Sequence, residues 1–505
     1  MASLPVGSEE RLILALLTNT PKKPVRYSLR PHFLVAENSA LIGDVLVLTR
    51  LNIENFKSWR KTGDFKLAPI TGLFGTNSSG KTSLLQLLLM LKQTTESSDR
   101  AQVLHLGDER SLVELGIFKD VIFAHDKNAS LKFDLEWGLP KRIEIPDPEK
   151  KGVTLFSFSE MGFTSEISSR SSGDNGAGRI VADRISYRFG GNEFGMRPTT
   201  TERNEYDLFS KVKTQEFRFI RTQGRVWKLP PPVKCYGFPD QVRAYYQNAG
   251  FLSFLELAFE ELFSRTYYLG PLRSYPKREY TWAGSQPADM GQRGEKAIDA
   301  LLASREQGPT ISQGQGIRRL TVEGQVAKWL KELNLIHDFA VKPVTPDGKL
   351  FQVTVKRSPS SASVLITDVG FGVSQILPVL VLCYYVPEGS TIILEQPEIH
   401  LHPSVQAGLA DVFVDAVKKR NIQIILESHS EHLLRRLQRR VAEEVIPTDS
   451  VALYFSEMIN GESRLQELKM NLFGDIENWP SDFFGDDFGE ISAITRAKME
   501  RLRKK

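Results

Sequence analysis

Residues 70–93 read ITGLFGTNSSGKTSLLQLLLMLKQ, and the rest of the 505-residue chain is organised around them. The first five, ITGLF, are mostly apolar and suit a buried strand. A glycine-rich loop follows, and the apolar positions after it recur with helical spacing. Gly75 through Thr82, GTNSSGKT, matches the phosphate-binding P-loop pattern, with a strand before it and a helix after it. Gly75 and Gly80 let the backbone curl so that successive N–H groups point at phosphate oxygens. The helix opening near Gly80 adds its positive dipole end. Lys81 is placed to bridge the β- and γ-phosphates, and the Thr82 hydroxyl to hold Mg²⁺. Gly75, Asn77, Ser78, Ser79, Gly80, Lys81, Thr82 and Ser83 are therefore the expected phosphate cradle, with Lys81 also a catalytic residue.

Composition narrows the alternatives. With 41% hydrophobic and 25% charged residues the sequence is that of an ordinary globular protein, and its length calls for two or three lobes. The net charge of +4 permits nucleic-acid contact without arguing for it. The two cysteines, Cys235 and Cys383, lack metal-ligand spacing and suit a reducing compartment. The longest apolar run, residues 376–386, is too short to span a bilayer, and the N-terminus has no secretory layout. A cytoplasmic protein with no membrane partner is expected.

Five segments follow from the changes in pattern: an N-terminal appendage (1–44), a P-loop lobe (45–139), an antiparallel β insertion (140–250), a second lobe (251–460) and a C-terminal segment (461–505). The appendage has room for a short amphipathic helix at 9–17. Strands are expected at 112–123 and 129–137, and short alternating strands at 154–158, 184–189, 216–220 and 225–229, with a loop at 168–178. FRFIRTQGRVWK (217–228) interleaves bases with aromatics, which suits either nucleic acid or a hairpin with one solvated face. Helices are expected at 252–264, 321–335 and 376–385. The stretch YYLGPLRSYPKREY (267–280) carries Arg273 and Arg278 on a loop, where they could meet a phosphate, a partner or surface acids.

Three later stretches complete a nucleotide site. TIILE ends in Glu395, a buried strand closing on a carboxylate as a Walker B strand does, followed by Gln396 and PEIHLHP. A second apolar strand at 422–426 leads to Glu427, Ser428, His429 and Ser430. Before both lies DVGFGVSQ (368–375), a Gly/Ser turn opening an apolar helix.

With these motifs the sequence resembles the ABC-type ATPases of the Rad50, SMC and OLD-like branch. The resemblance implies an α/β P-loop NTPase fold with ABC-ATPase head-like architecture, a mixed sheet plus the β insertion. It implies MgATP as cofactor, with Thr82 and Glu395 at the metal and Lys81, Glu395, Gln396 and His429 as catalytic residues. Gly370 to Gln375 stands at the signature turn, making Ser374 and Gln375 nucleotide contacts, while His400 to Pro403 stands at the D-loop and His429 at the switch histidine. Partners implied are the protein itself, as an ATP-sandwiched homodimer or higher oligomer, and a separately encoded effector. More narrowly, EQPEIHLHP, GFGVSQILPVLV, LGPLR and WPSDFF resemble a group of bacterial AAA-family predicted ATPases with a C-terminal domain of unassigned function, relatives of which occur in anti-phage defence loci. For that group a nuclease is the favoured effector.

Two departures shape the functional expectation. Gln396 replaces the usual glutamate after the Walker B acid and cannot accept a proton, so hydrolysis should be slow or should need Glu398, His429 or a partner. The signature turn lacks Leu-Ser-Gly-Gly-Gln. Three readings stay open: an ATPase that controls an effector, an ATP-gated scaffold that scarcely hydrolyses, and a DNA-repair ATPase using Arg435, Arg436, Arg439 and Arg440. Those four arginines, at i, i+1, i+4 and i+5, share one helical face that suits DNA, an acidic partner or solvent. No heptad run marks a long coiled-coil arm. His400, His402 and Glu398 have a weaker reading as a metal set.

Overall fold

The P-loop strand Ile70–Gly75 lies inside a six-stranded sheet. Its order is Thr266–Leu269, Thr391–Glu395, Gln423–Glu427, Ile70–Gly75, Val451–Ile459 and Glu462–Glu467, as seen in a computed structural model. The first five strands run parallel and the last pairs antiparallel. Strands buried on both faces need continuous apolar runs, which TIILE and QIILE supply. The structure describes residues 47–503, apart from 147–151, 171–177, 200–204, 214–216, 225–226, 347, 481–482 and 484–486. The appendage with its expected helix at 9–17, and most of the expected 168–178 loop, lie outside the described residues.

A second, eight-stranded sheet is antiparallel. It starts at Val47–Phe56, which pairs with Leu131–Pro146 from Val47 opposite Gly138 to Glu54 opposite Lys132. Thr154–Arg170, Arg179–Phe189, Asn192–Pro198 and Tyr206–Lys211 extend it in hairpin order. The hairpins expected from residue 140 onward are thus continuous, strand by strand, with the start of the fold. The architecture is α/β, with a mixed sheet bearing the P-loop and an antiparallel sheet beside it, as the sequence implies.

The P-loop helix Lys81–Glu96 buries Leu84, Leu85, Leu87, Leu88, Leu89, Met90 and Leu91 in the core of the antiparallel sheet. Such all-round burial explains its leucine run. Its C-terminal carbonyls are closed by a cation from a distant segment: Lys234 Nζ donates to the carbonyls of Thr94 (2.8 Å), Thr95 (3.1 Å) and Ser97 (2.8 Å). Helices Ala297–Gln307, Val322–Glu332, Phe371–Tyr385 and Pro403–Arg420 build a second core that includes the other inward residues of the parallel strands.

Local expectations fare unevenly. Leu252–Ser264 is helical over the expected residues, and Val322–Glu332 nearly so. The strand expected at 112–123 is instead a helical turn, Phe118–Val121, followed by a 3-10 turn, Phe123–His125. Buried Phe118, Val121 and Ile122 stand three and four apart, a helical spacing that alternation cannot satisfy. No ladder forms over residues 217–220. Phe217 and Phe219 turn inward onto Phe251, with centroids 5.6 and 6.5 Å away, so these rings are engaged in packing. Phe483 of WPSDFF packs on Phe455 and Phe74, which gives that residue a structural role.

One buried amide ties the two sheets together. Gln423 accepts from the Leu48 N–H (3.1 Å) and donates to the carbonyls of Leu48 (2.7 Å) and Ala68 (3.1 Å). Gln423→Leu preserves bulk but leaves these groups without their partner, at about 1–3 kcal/mol for each buried group. The thermal unfolding midpoint of this variant is expected to fall clearly below wild type; an unchanged midpoint would show that the amide is dispensable.

Candidate nucleotide site

The parallel strands end at one edge, and the P-loop starts there. Its backbone is left-handed at Gly75, Ser78 and Gly80, with φ of 134°, 60° and 90°. At two of these positions only glycine fits. A Cβ on Gly75 would collide with the Ser456 carbonyl oxygen, and one on Gly80 with the Ser463 hydroxyl. From outside, the Ser456 hydroxyl donates to the Ser79 carbonyl (2.6 Å) and the Trp59 indole to the Gly80 carbonyl (3.0 Å). The loop is gripped on its outer side, and its inner side opens on a cavity of about 380 Å³. That cavity is lined by residues 77–82 together with Gln396, Glu427 and His429.

Lys81 is buried, and burial lowers its pKa against the pull of Glu427. Its ammonium donates to the carbonyls of Thr76 (2.7 Å) and Gly75 (3.2 Å). These are neutral acceptors, and an anionic phosphate oxygen would be a stronger one. The Thr82 hydroxyl donates to Glu427 Oε2 at 2.7 Å. Gln396 holds a left-handed φ of 43°, fixed by its N–H donating to the Glu427 carbonyl at 2.9 Å. Strained positions of this kind concentrate at functional sites. The His429 N–H donates to Glu398 Oε1 at 2.7 Å. Burial and then Lys81 lower the pKa of its ring, which favours the neutral imidazole.

The expected site residues therefore divide. Asn77, Ser78, Ser79, Gly80, Lys81, Thr82, Gln396 and His429 surround one cavity, with Gly75 at its root. Ser83 lies behind it, its N–H donating to the Gly80 carbonyl at 3.1 Å. Glu395 is buried and does not line the cavity; it accepts from the Tyr268 hydroxyl at 3.0 Å. Ser374 and Gln375 do not line this cavity either. Helix Phe371–Tyr385 begins directly after Gly370, so both are buried in its first turns, and the Ser374 hydroxyl donates to the Phe371 carbonyl at 2.8 Å.

The sequence does not assign Glu427, and it leaves Glu398 and Arg273 only among alternatives. Glu427 is the carboxylate lining the cavity, Glu398 anchors the loop that carries His429, and Arg273 is 7% exposed with no hydrogen-bond partner for its three guanidinium nitrogens among the described residues. Arg273 feels Tyr268, Glu395 and Glu398, and burial lowers its pKa to about 10. A signal for Glu427 was present: QIILE repeats TIILE, so two adjacent buried strands both end in glutamate. Arg278, by contrast, lies outside and meets Asp368 at 3.5 Å.

Other candidates resolve into structural roles. His402 caps helix Pro403–Arg420 by accepting the Ser404 N–H, and the His400 ring lies 5.5 Å from that of Phe371. Among the described residues no group of three His, Cys, Asp or Glu could hold a metal. The cavity does offer hard oxygen donors, the Thr82 hydroxyl and the Glu427 carboxylate, which suit Mg²⁺ arriving with nucleotide phosphates. The arginine face of helix Glu431–Ala442 is paired within the chain. Arg436 and Arg440 meet Asp411 (2.5 and 2.6 Å), Arg439 meets Glu443 (2.7 Å), and Arg435 meets Glu431 (3.2 Å).

Residues 296–434 match a family described as "AAA ATPase domain", and residues 446–494 one described as "Protein of unknown function (DUF3696)". The first match takes in Glu395, Gln396 and His429. No curated protein matches the chain. Among solved structures it is similar to the SMC head domain from Thermotoga maritima, at 11% identity and TM-score 0.38, covering 84% of this chain and 99% of that one. It is also similar to an Smc head domain with an extended coiled coil bound to the C-terminal domain of ScpA derived from Pyrococcus furiosus. There the identity is 10% and the TM-score 0.41, over 84% of this chain and 96% of that one. Among the described residues no helix is long and apolar enough to cross a membrane.

Glu395 gives the site a pH signature. Burial, and then the neighbouring Glu427, push its carboxyl up from 4.5 to about 7. Between these values the folded chain holds a proton that the unfolded chain has released, so stability falls as pH rises through this window. Glu395→Gln keeps the acceptor for Tyr268 and removes the charge. Without nucleotide or metal it is expected to be more stable than wild type at pH 8 by about 2–3 kcal/mol, with the difference fading toward pH 4.5. Denaturant midpoints at pH 5 and pH 8 check this; a destabilised variant at pH 8 would contradict it.

Proposed function

We propose that this protein binds MgATP in the P-loop cavity, hydrolyses it slowly, and uses nucleotide occupancy to control a separately encoded effector. The observation that carries the proposal is the convergence of Lys81, Thr82, Glu427 and His429 on one cavity at the edge of a parallel sheet. Lys81 would exchange the carbonyls of Gly75 and Thr76 for phosphate oxygens, and the N–H groups of residues 77–82 would surround them. Mg²⁺, when bound, supplies charge neutralisation at the β- and γ-phosphates. Gln396 can orient the attacking water by hydrogen bonds without taking its proton, which favours low turnover.

A second copy of the chain as partner is supported by an apolar patch beside the signature-like turn. Leu272 and Tyr275 are 64% and 79% exposed, and the Tyr275 ring lies 5.7 Å from that of Phe371. In a dimer joined there, Ser374 and Gln375 would need the first turn of their helix to open before reaching nucleotide. An effector such as a nuclease, anti-phage defence and a cytoplasmic setting extend the reading along the family resemblance. The competing reading, an ATP-gated scaffold, is favoured by Gln396. The intramolecular pairing of the Arg435 to Arg440 face weakens the DNA-repair reading.

Steady-state ATP turnover with Mg²⁺, measured beside Lys81→Ala, separates the two leading readings. Wild type is expected above that blank, and Gln396→Glu is expected to raise the rate by roughly 10²-fold by restoring a proton acceptor. Wild type and blank coinciding, with wild type still binding ATP, would make the protein a scaffold.

A further inference from the structure

We infer that Glu427, not Glu395, is the carboxylate of the Mg²⁺ site, holding the Thr82 hydroxyl so that its oxygen lone pairs face the metal. This rests on the reading of the cavity as an ATP site. The topology makes the two glutamates easy to confuse. Thr391–Glu395 and Gln423–Glu427 are parallel, equally buried and in register, with Glu395 opposite Glu427. Only one of the two strands adjoins the P-loop. Gln423–Glu427 lies between the Walker B-like strand and Ile70–Gly75, with Glu427 level with Leu73.

Side-chain geometry follows that order. Glu427 accepts from Thr82 at 2.7 Å and lines the cavity, whereas Glu395 accepts from Tyr268 at 3.0 Å and does not line it. Tyr268 belongs to Thr266–Leu269, the strand on the far side of Glu395 from the P-loop, so one Glu395 oxygen is engaged on that side. Glu398 is also engaged, taking the His429 N–H. A threonine whose proton is committed to a carboxylate presents its lone pairs elsewhere, and the remaining exposure of Thr82 is toward the cavity. The Thr82–Glu427 contact is therefore compatible with metal binding and does not have to break for it. The two matched glutamates are thus told apart by their side-chain partners, Thr82 for Glu427 and Tyr268 for Glu395, rather than by the Walker B-like sequence.

The test is the Mg²⁺-dependent gain in affinity for a non-hydrolysable ATP analogue, AMPPNP, titrated calorimetrically into the full chain with Mg²⁺ and with EDTA. Wild type is expected to bind more tightly with Mg²⁺. Glu427→Gln should lose about 10- to 100-fold of the Mg²⁺-supported gain, read as the ratio of its own affinities with Mg²⁺ and with EDTA. Glu395→Gln should keep the gain, and Glu427→Asp should recover part of it, which a merely misfolded site would not. The inference is overturned if Glu395→Gln loses the gain while Glu427→Gln keeps it, if both lose it equally, or if wild type shows no gain. Absence of AMPPNP binding to wild type under either condition would overturn the ATP reading as well.

Discussion

The site depends on the parallel register of three strands. Ile70–Gly75, Gln423–Glu427 and Thr391–Glu395 are hydrogen-bonded side by side, so their C-terminal ends reach the same edge at the same height. Everything with chemical capacity is placed by that fact. The P-loop turns back from the first strand, Glu427 and His429 follow the second, and Glu395 and Gln396 follow the third. A fourth strand, Val451–Ile459, grips the loop from the other side, where Ser456 opposite Gly75 leaves no room for a Cβ. Shifting any of these strands by one residue would turn its functional side chain to the other face of the sheet.

Placing so many ionisable groups at a half-dry edge is costly. Glu395, Glu398 and Glu427 are all held above the usual carboxylate range, chiefly by burial, and Arg273 is buried with no hydrogen-bond partner among the described residues. A fold selected for stability alone would fill such positions with apolar side chains. The cost makes sense if the edge is designed for an anionic ligand and its cation, whose arrival supplies the charges now lacking. The strained φ at Gln396 belongs to the same economy, since its N–H is what links the third strand end to the second.

Much of this was legible in the sequence, for identifiable reasons. The P-loop is read directly because its chemistry is local, six backbone N–H groups and two side chains within eight residues. The buried parallel strands are legible because they must be continuously apolar. The strand order was not legible, since hydrophobic runs carry no information about neighbours, and that order decides whether Glu395 or Glu427 faces Thr82. The depth of Ser374 and Gln375 was hidden for a related reason: the helix starts at Phe371 rather than after Gln375, so residues expected on a turn are inside the first turns of a helix. Aromatic spacing misled at residues 217–219 because an interleaved base and ring pattern fits a buried cluster as well as a nucleic-acid surface.

The most direct test of the central claim is a crystal structure of the full chain with AMPPNP and Mg²⁺. The account predicts triphosphate in the cavity bounded by residues 77–82, Gln396, Glu427 and His429, with the Lys81 ammonium moved from the carbonyls of Gly75 and Thr76 onto phosphate oxygen. Nucleotide bound elsewhere, or Lys81 still on those carbonyls beside a bound triphosphate, would contradict it.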